Sequence, residues 1–150
     1  MISFCPHCYK PMKQLLTSFY CDCKKEVEVK ESIPYNNASE AYRYGMRHGP
    51  DDESRKMACE DFYYAYHYAY DVDRTPRDDT RKAACRDPEY AYLYARDVDK
   101  CPRDDTRLGA CKDSKYAYYY AAAVDNCKHP DTEQAVRNTS WEVCYYKNVK

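Results

Sequence analysis

Aliphatic bulk is what this chain of 150 residues has least of: four Leu, two Ile and eight Val, beside three Phe and a single Trp. A conventional aliphatic core is thereby excluded. No run approaches the ~18 consecutive apolar residues of a membrane span. Neither sign of charge prevails, because 24 Lys and Arg face 25 Asp and Glu. That balance argues against a generally basic nucleic-acid binder and leaves only local basic patches. No secretory leader is expected from Met1-Ile2-Ser3-Phe4-Cys5, which has neither a cationic start nor an apolar stretch. What is present is 19 Tyr, 15 Ala and 10 Cys. So few aliphatics in a strongly charged chain would signal disorder, but here the net charge is only −1 and Tyr and Ala can fill a core. The length suits one compact domain or a small module joined to a larger one.

The cysteines follow two different rules. Cys5-Pro6-His7-Cys8 and Cys21-Asp22-Cys23 are tight pairs separated by 12 residues. A two-residue gap lets the backbone turn so that both sulfurs meet one ion, and Pro6 suits such a turn by fixing φ. Val27 and Val29 then alternate with Glu26, Glu28 and Lys30, the period of a half-exposed strand. Residues 1–31 resemble a zinc ribbon with a Cys-Pro-x-Cys knuckle. The expectation is one structural Zn²⁺ on Cys5, Cys8, Cys21 and Cys23 in a small β unit, since so short a fragment buries too little surface to fold alone. His7 as a substitute ligand and a thioredoxin-type role for Cys5 and Cys8 are weaker readings. Lys10, Lys13, Lys24 and Lys25 give the ribbon a basic rim, which reads either as ordinary solvated lysines or as a nucleic-acid contact.

After residue 57 a 26-residue period dominates. Ala58-Cys59, Ala84-Cys85 and Ala110-Cys111 open three units. Each runs through a Tyr/Ala segment, Tyr64–Ala69, Tyr90–Ala95 and Tyr116–Ala121, into Val-Asp at 72–73, 98–99 and 124–125. Pro-Arg-Asp-Asp-Thr-Arg follows at 76–81 and 102–107. Degenerate units flank these three, the arrangement of a capped solenoid. Asp87-Pro88-Glu89 is an N-cap, a Pro at the first helical position and an acid at the positive end of the dipole. Tyr90, Ala91, Tyr94, Ala95 and Val98 form one helical stripe ending before Pro102. The chain beyond the ribbon therefore predicts a mainly α fold of short helical hairpins, about 11 plus 8 residues each, over 32–150. Stacked strands are the competing architecture; the Pro and Asp punctuation disfavours them.

Two further expectations come from the period. Cys59, Cys85 and Cys111 should form one inner row of small apolar residues, and Cys101 with Cys127 another. Asp79, Asp105 and Asp131, Thr80, Thr106 and Thr132, and Arg81 and Arg107 read as a solvated face with ion pairs between repeats. A ladder of identical environments is poor material for acid–base catalysis, which needs carboxyls of unlike pKa.

The segment Asp87-Pro88-Glu89-Tyr90-Ala91-Tyr92-Leu93-Tyr94-Ala95-Arg96-Asp97-Val98 resembles a helical repeat found in accessory proteins of large tailed phages. The likeness spans about 38–146, and Cys101-Pro102-Arg103 stands where that repeat has Trp-Pro-Glu. The resemblance implies a viral protein of the host cytoplasm acting on a host factor. The repeat architecture and the lack of a plausible catalytic set point to a non-enzymatic protein-interaction module with a Tyr- and Arg-bearing partner face. The alternatives are a nucleic-acid binder using the ribbon lysines and exposed Tyr, and a sponge for small nucleotide ligands held between adjacent repeats.

Overall fold

A computed structural model describes residues 33–150 throughout, together with the backbone of three two-residue strands nearer the N-terminus. The chain divides into two units, Met1–Ile33 and Pro34–Lys150. In the first, β1 (Lys13–Gln14), β2 (Phe19–Tyr20) and β3 (Glu26–Val27) form an antiparallel sheet in the order β1-β2-β3. Lys13 pairs with Tyr20, and Phe19 with Val27.

The second unit is mainly helical. After α1 (Ala38–His48) and α2 (Asp52–Ala58), one pattern occurs three times. A helix begins as α3 (Phe62–His67), α5 (Pro88–Leu93) or α7 (Ser114–Tyr120). It continues in π-helical form as π1 (Tyr68–Asp73), π2 (Tyr94–Asp99) or π3 (Ala121–Asp125). A short helix follows: α4 (Asp78–Ala84), α6 (Asp104–Ala110) or α8 (Pro130–Val136). The last helix is α9 (Glu142–Asn148). Each long helix starts on an Asp N-cap, as the Asp87-Pro88-Glu89 signature predicts; Asp87 Oδ1 accepts from the Glu89 and Tyr90 amides at 2.9 and 3.3 Å. The long helices lie side by side, and fully buried Ala65, Ala91, Ala117, Ala69, Ala95 and Ala121 let their backbones approach.

Tyr rings replace the missing aliphatics. Tyr68, Tyr94, Tyr120 and Tyr145 are fully buried, each ring contributing roughly 4 kcal/mol of burial as an upper bound. Their hydroxyls meet partners on the preceding short helix. Tyr94 Oη lies 2.8 Å from Thr80 Oγ1; it accepts from the Arg77 amide and donates to the Arg77 carbonyl, both at 3.0 Å. Tyr120 repeats this with Thr106 and Arg103, and Tyr68 with Ser54 and Asp51. Arg77 and Arg103 make no side-chain cap, so an external phenol closes the starts of α4 and α6.

A guanidinium lies against each of these rings. Arg55, Arg81 and Arg107 stand with Cζ 5.7 Å from the centroids of Tyr68, Tyr94 and Tyr120. Each forks onto a buried Asp 18 residues later: Arg81 Nε and Nη2 both reach Asp99 at 2.9 Å. Arg55 does the same with Asp73, and Arg107 with Asp125. The π turns make this geometry. In an α-helix, residues five apart point about 140° from each other. With i→i+5 bonding that angle closes substantially, so Tyr94 and Asp99 can face the same arginine. Helical periodicity in the sequence showed the long helices but not this widening.

Two expectations are corrected here. The Thr and Arg of the charged ladder are not solvated: Thr80, Thr106 and Thr132 are fully buried and Arg81 and Arg107 nearly so. They are inside because the incoming Tyr hydroxyls and Asp carboxylates need partners there. The exposed remainder is acidic, with Asp79 and Asp105 facing water and Asp131 half-buried. Ion pairing between repeats survives at the margin, with Arg81 Nη1 3.9 Å from Asp105. Cys101 and Cys127 are exposed rather than an inner row. They follow Lys100 and Asn126, whose left-handed conformation (φ 54° and 56°) turns the chain away from the helix. Cys59, Cys85 and Cys111 are half-buried at the ends of short helices, and burial pushes their thiols up to about 12.

Candidate functional site

The repeat compares each position with its equivalents within one chain. Most positions that face the interior recur, among them the Ala, Tyr and Asp of the long helices, with small exchanges such as Ser54 for Thr80 and Gly109 for Ala83. Positions on the outer side of the long helices change from unit to unit. Tyr63 corresponds to Glu89 and Lys115, His67 to Leu93 and Tyr119, Tyr70 to Arg96 and Ala122, and Arg74 to Lys100 and Asn126. Tyr63 and Tyr70 are 42% and 51% exposed, unusual for rings in a chain that uses tyrosine as core. The variable outer rows are the candidate site.

The rows carry an aromatic band. Tyr63 packs edge-on against Tyr90 of the next repeat at 5.7 Å, and Tyr66 stacks on Tyr70 at 5.8 Å and 13°. Tyr92 meets Tyr116 and Tyr119 of the third repeat, and Trp141 stacks on Tyr118 at 5.5 Å. Leu93 touches the core clusters on both sides and so joins the two groups. Hydrogen bonds run across repeats as well. Tyr42 donates to Asp71 at 2.9 Å and Tyr66 to Asp97 at 3.0 Å. Burial and the Asp71 bond push Tyr42 up to about 12, and burial and Asp97 raise Tyr66 further. Arg96 lies 2.6 and 2.7 Å from the two oxygens of Asp97, closing that carboxylate from the side.

Between the C-terminal halves of the first two long helices the band opens into a groove of about 270 Å³. Ala69, Tyr70 and Arg74 form one wall, and Asp97, Val98 and Lys100 the other. The equivalent recess at the third long helix holds about 160 Å³ and is lined by Ala121, Ala122, Asn126, Asn148, Val149 and Lys150.

Of the site residues expected from sequence, Cys5, Cys8, Cys21, Cys23, Lys10, Lys24 and Lys25 lie outside the described residues. Of Lys13, the backbone in β1 is described. Among the described residues no group of three or more His, Cys, Asp or Glu could hold a metal, and no helix is long and apolar enough to cross a membrane. The chain matches no protein-family model, and no curated protein or solved structure matches it. A pocket between adjacent repeats is one of the sequence alternatives, but the residues of this groove are not singled out there. Its signal was the pairing of an exposed aromatic with basic residues at the ends of the Tyr/Ala segments, 26 residues apart.

Proposed function

We propose that the helical unit is a non-enzymatic interaction module that takes a protein partner across the outer rows of its long helices. One observation carries this reading: the interior recurs unit by unit while the outer rows differ, so the repeat provides a rigid frame for a non-repeating surface. Exposed Tyr63, Tyr70 and Arg96 supply the residue types that dominate binding hot spots. The buried polar groups engage one another in three copies of one environment, which favours binding over turnover. The resemblance to phage helical-repeat proteins supports a host protein as the partner and the host cytoplasm as the place of encounter. For residues 1–31 the reading is a single structural Zn²⁺ on Cys5, Cys8, Cys21 and Cys23, supported by their spacing alone. Measured zinc of one equivalent per chain, lost on Cys8→Ser, tests it.

The partner reading is tested by affinity capture from bacterial lysate with wild type and with Tyr63→Ala/Lys115→Glu. Stoichiometric recovery of one protein by the wild type, lost in a variant of unchanged circular dichroism, is the expected result. Equal recovery by both proteins, or no stoichiometric partner, removes the reading.

A further inference from the structure

We propose that the groove between the first two long helices binds a nucleoside phosphate, its base on Tyr70 and its phosphate between Arg74 and Lys100. The inference goes beyond partner binding and is independent of Tyr63 and Lys115.

Size comes first. At about 270 Å³ the groove sits near the lower end of ligand pockets, ~300 Å³, which suits one nucleotide rather than a dinucleotide. The aromatic platform is braced: Tyr70 is stacked on Tyr66, whose hydroxyl is tied to Asp97, and half of the Tyr70 ring stays accessible. A planar base can stack there without displacing anything, in the manner of sequence-tolerant base stacking on aromatic side chains.

Charge comes second. Arg74 and Lys100 occupy equivalent positions in consecutive repeats, each with φ 54°. Glycine is the usual occupant of that helix-ending conformation, so an Arg and a Lys held there are outliers. Helix dipoles favour cations at C-termini, and that accounts for positive charge alone. It explains neither the recess between the two cations nor the bare ring beside it. The carboxylate in the groove, Asp97, is closed by Arg96 and Tyr66, so it opposes an incoming phosphate weakly. The recess at the third long helix serves as an internal control, because Ala122 and Asn126 stand there in place of Tyr70 and Arg74, leaving Lys150 as its cation and no ring.

Calorimetric titration of the full chain with AMP, GMP, adenosine, inorganic phosphate and a 5′-phosphorylated single-stranded oligothymidylate tests the proposal. AMP or GMP is expected to bind one per chain below about 1 mM, with adenosine and inorganic phosphate at least tenfold weaker. Tyr70→Ala and Lys100→Gly should each weaken binding at least fivefold, while Asn126→Ala leaves it unchanged. The oligonucleotide binding more tightly than AMP would assign the groove to a nucleic-acid end, and the reverse to free nucleotide. No saturable binding, or binding indifferent to both Tyr70→Ala and Lys100→Gly, overturns the proposal. Tyr63→Ala/Lys115→Glu should bind nucleotide normally, which separates this result from the partner-capture result.

Discussion

The Tyr94 hydroxyl lies 2.8 Å from Thr80 Oγ1, fourteen residues back along the chain and one helix away. That distance recurs for Tyr120 and Thr106, and at 2.6 Å for Tyr68 and Ser54. The phenol thus does two jobs at once, filling the core with its ring and closing the start of a short helix with its oxygen. Tyr94→Phe keeps the ring and leaves the Thr80 hydroxyl and the Arg77 amide without that partner. The expected loss is about 1–3 kcal/mol, read as a lower urea midpoint with unchanged slope. Thr80→Val alone should also destabilise. The pair should cost less than the sum by about 1 kcal/mol, because both substitutions remove the same contact.

The arginine beside that ring predicts a larger effect. Asp99 and Asp78 hold the Arg81 guanidinium charged against its burial, which works the other way. Removing one partner leaves a buried charge alone, so Arg81→Ala should cost about 3–5 kcal/mol. Asp99→Asn should also destabilise strongly. Arg81→Met/Asp99→Leu should recover much of that loss, since a buried pair is worth little net against apolar residues of similar volume. Added salt should leave wild-type stability nearly unchanged, as the pairs are shielded from solvent. Denaturation at two ionic strengths distinguishes this from a solvated ladder.

Much of the helical unit was legible because its signals are local. Asp87-Pro88-Glu89 marks a helix start wherever it lies, and Ala91 and Ala95 declare an inner face by spacing. The misreading of Arg81 and Thr80 came from judging them by type, since charged and hydroxyl residues are mostly outside. A partial signal was present: Thr-Arg recurs at 80–81 and 106–107 and Val-Asp in all three units, while Tyr63, Glu89 and Lys115 differ. Identity narrows the choice without deciding it, since the run Pro76-Arg77-Asp78-Asp79 recurs at 102–105 and is exposed in both places. The π turns were not legible, since nothing in residues 94–99 differs from an α-helical pattern. The widening is visible only once Arg81 is known to face both Tyr94 and Asp99. A pocket between adjacent repeats was among the alternatives, but its position and lining were hidden, because they depend on how neighbouring helix ends diverge.

Gly109 predicts a destabilising substitution at a helical position where alanine normally helps. An added Cβ would sit 2.7 Å from Ala91 Cβ and 3.2 Å from the Cys85 carbonyl. Neither neighbour is the end of a flexible side chain, so the helices must move apart. The helix-propensity gain of about 1 kcal/mol is outweighed by overpacking of about 1–3 kcal/mol, giving a net loss near 1 kcal/mol. Leu108→Ala, beside it but 57% exposed, should stay within about 0.5 kcal/mol of wild type. A Gly109→Ala variant more stable than wild type would mean that α5 and α6 are not so close.

Alkaline pH should unfold this protein through its own core. Burial raises the Cys59, Cys85 and Cys111 thiols from 9.0 to about 12. Burial and the Asp71 bond raise Tyr42 from 10.0 to about 12, and burial raises Tyr68, Tyr94 and Tyr120. In each case the fold favours the protonated, neutral form. Between pH 9 and about 12 the native state therefore binds more protons than the unfolded chain, and stability falls as pH rises. The stabilisation is fully present below pH 9, begins to fall with the thiols, and falls more steeply once the phenols join. Cys85→Ala should flatten the first part of that slope and leave the second. The tyrosinate absorbance of buried Tyr68, Tyr94 and Tyr120, read as the part lost in their Phe variants, should appear together with the loss of helical circular dichroism in one cooperative transition. If Tyr68, Tyr94 and Tyr120 titrated near the ordinary phenol value of 10.0 while the helices persisted, those rings would lie in water instead of between the alanines.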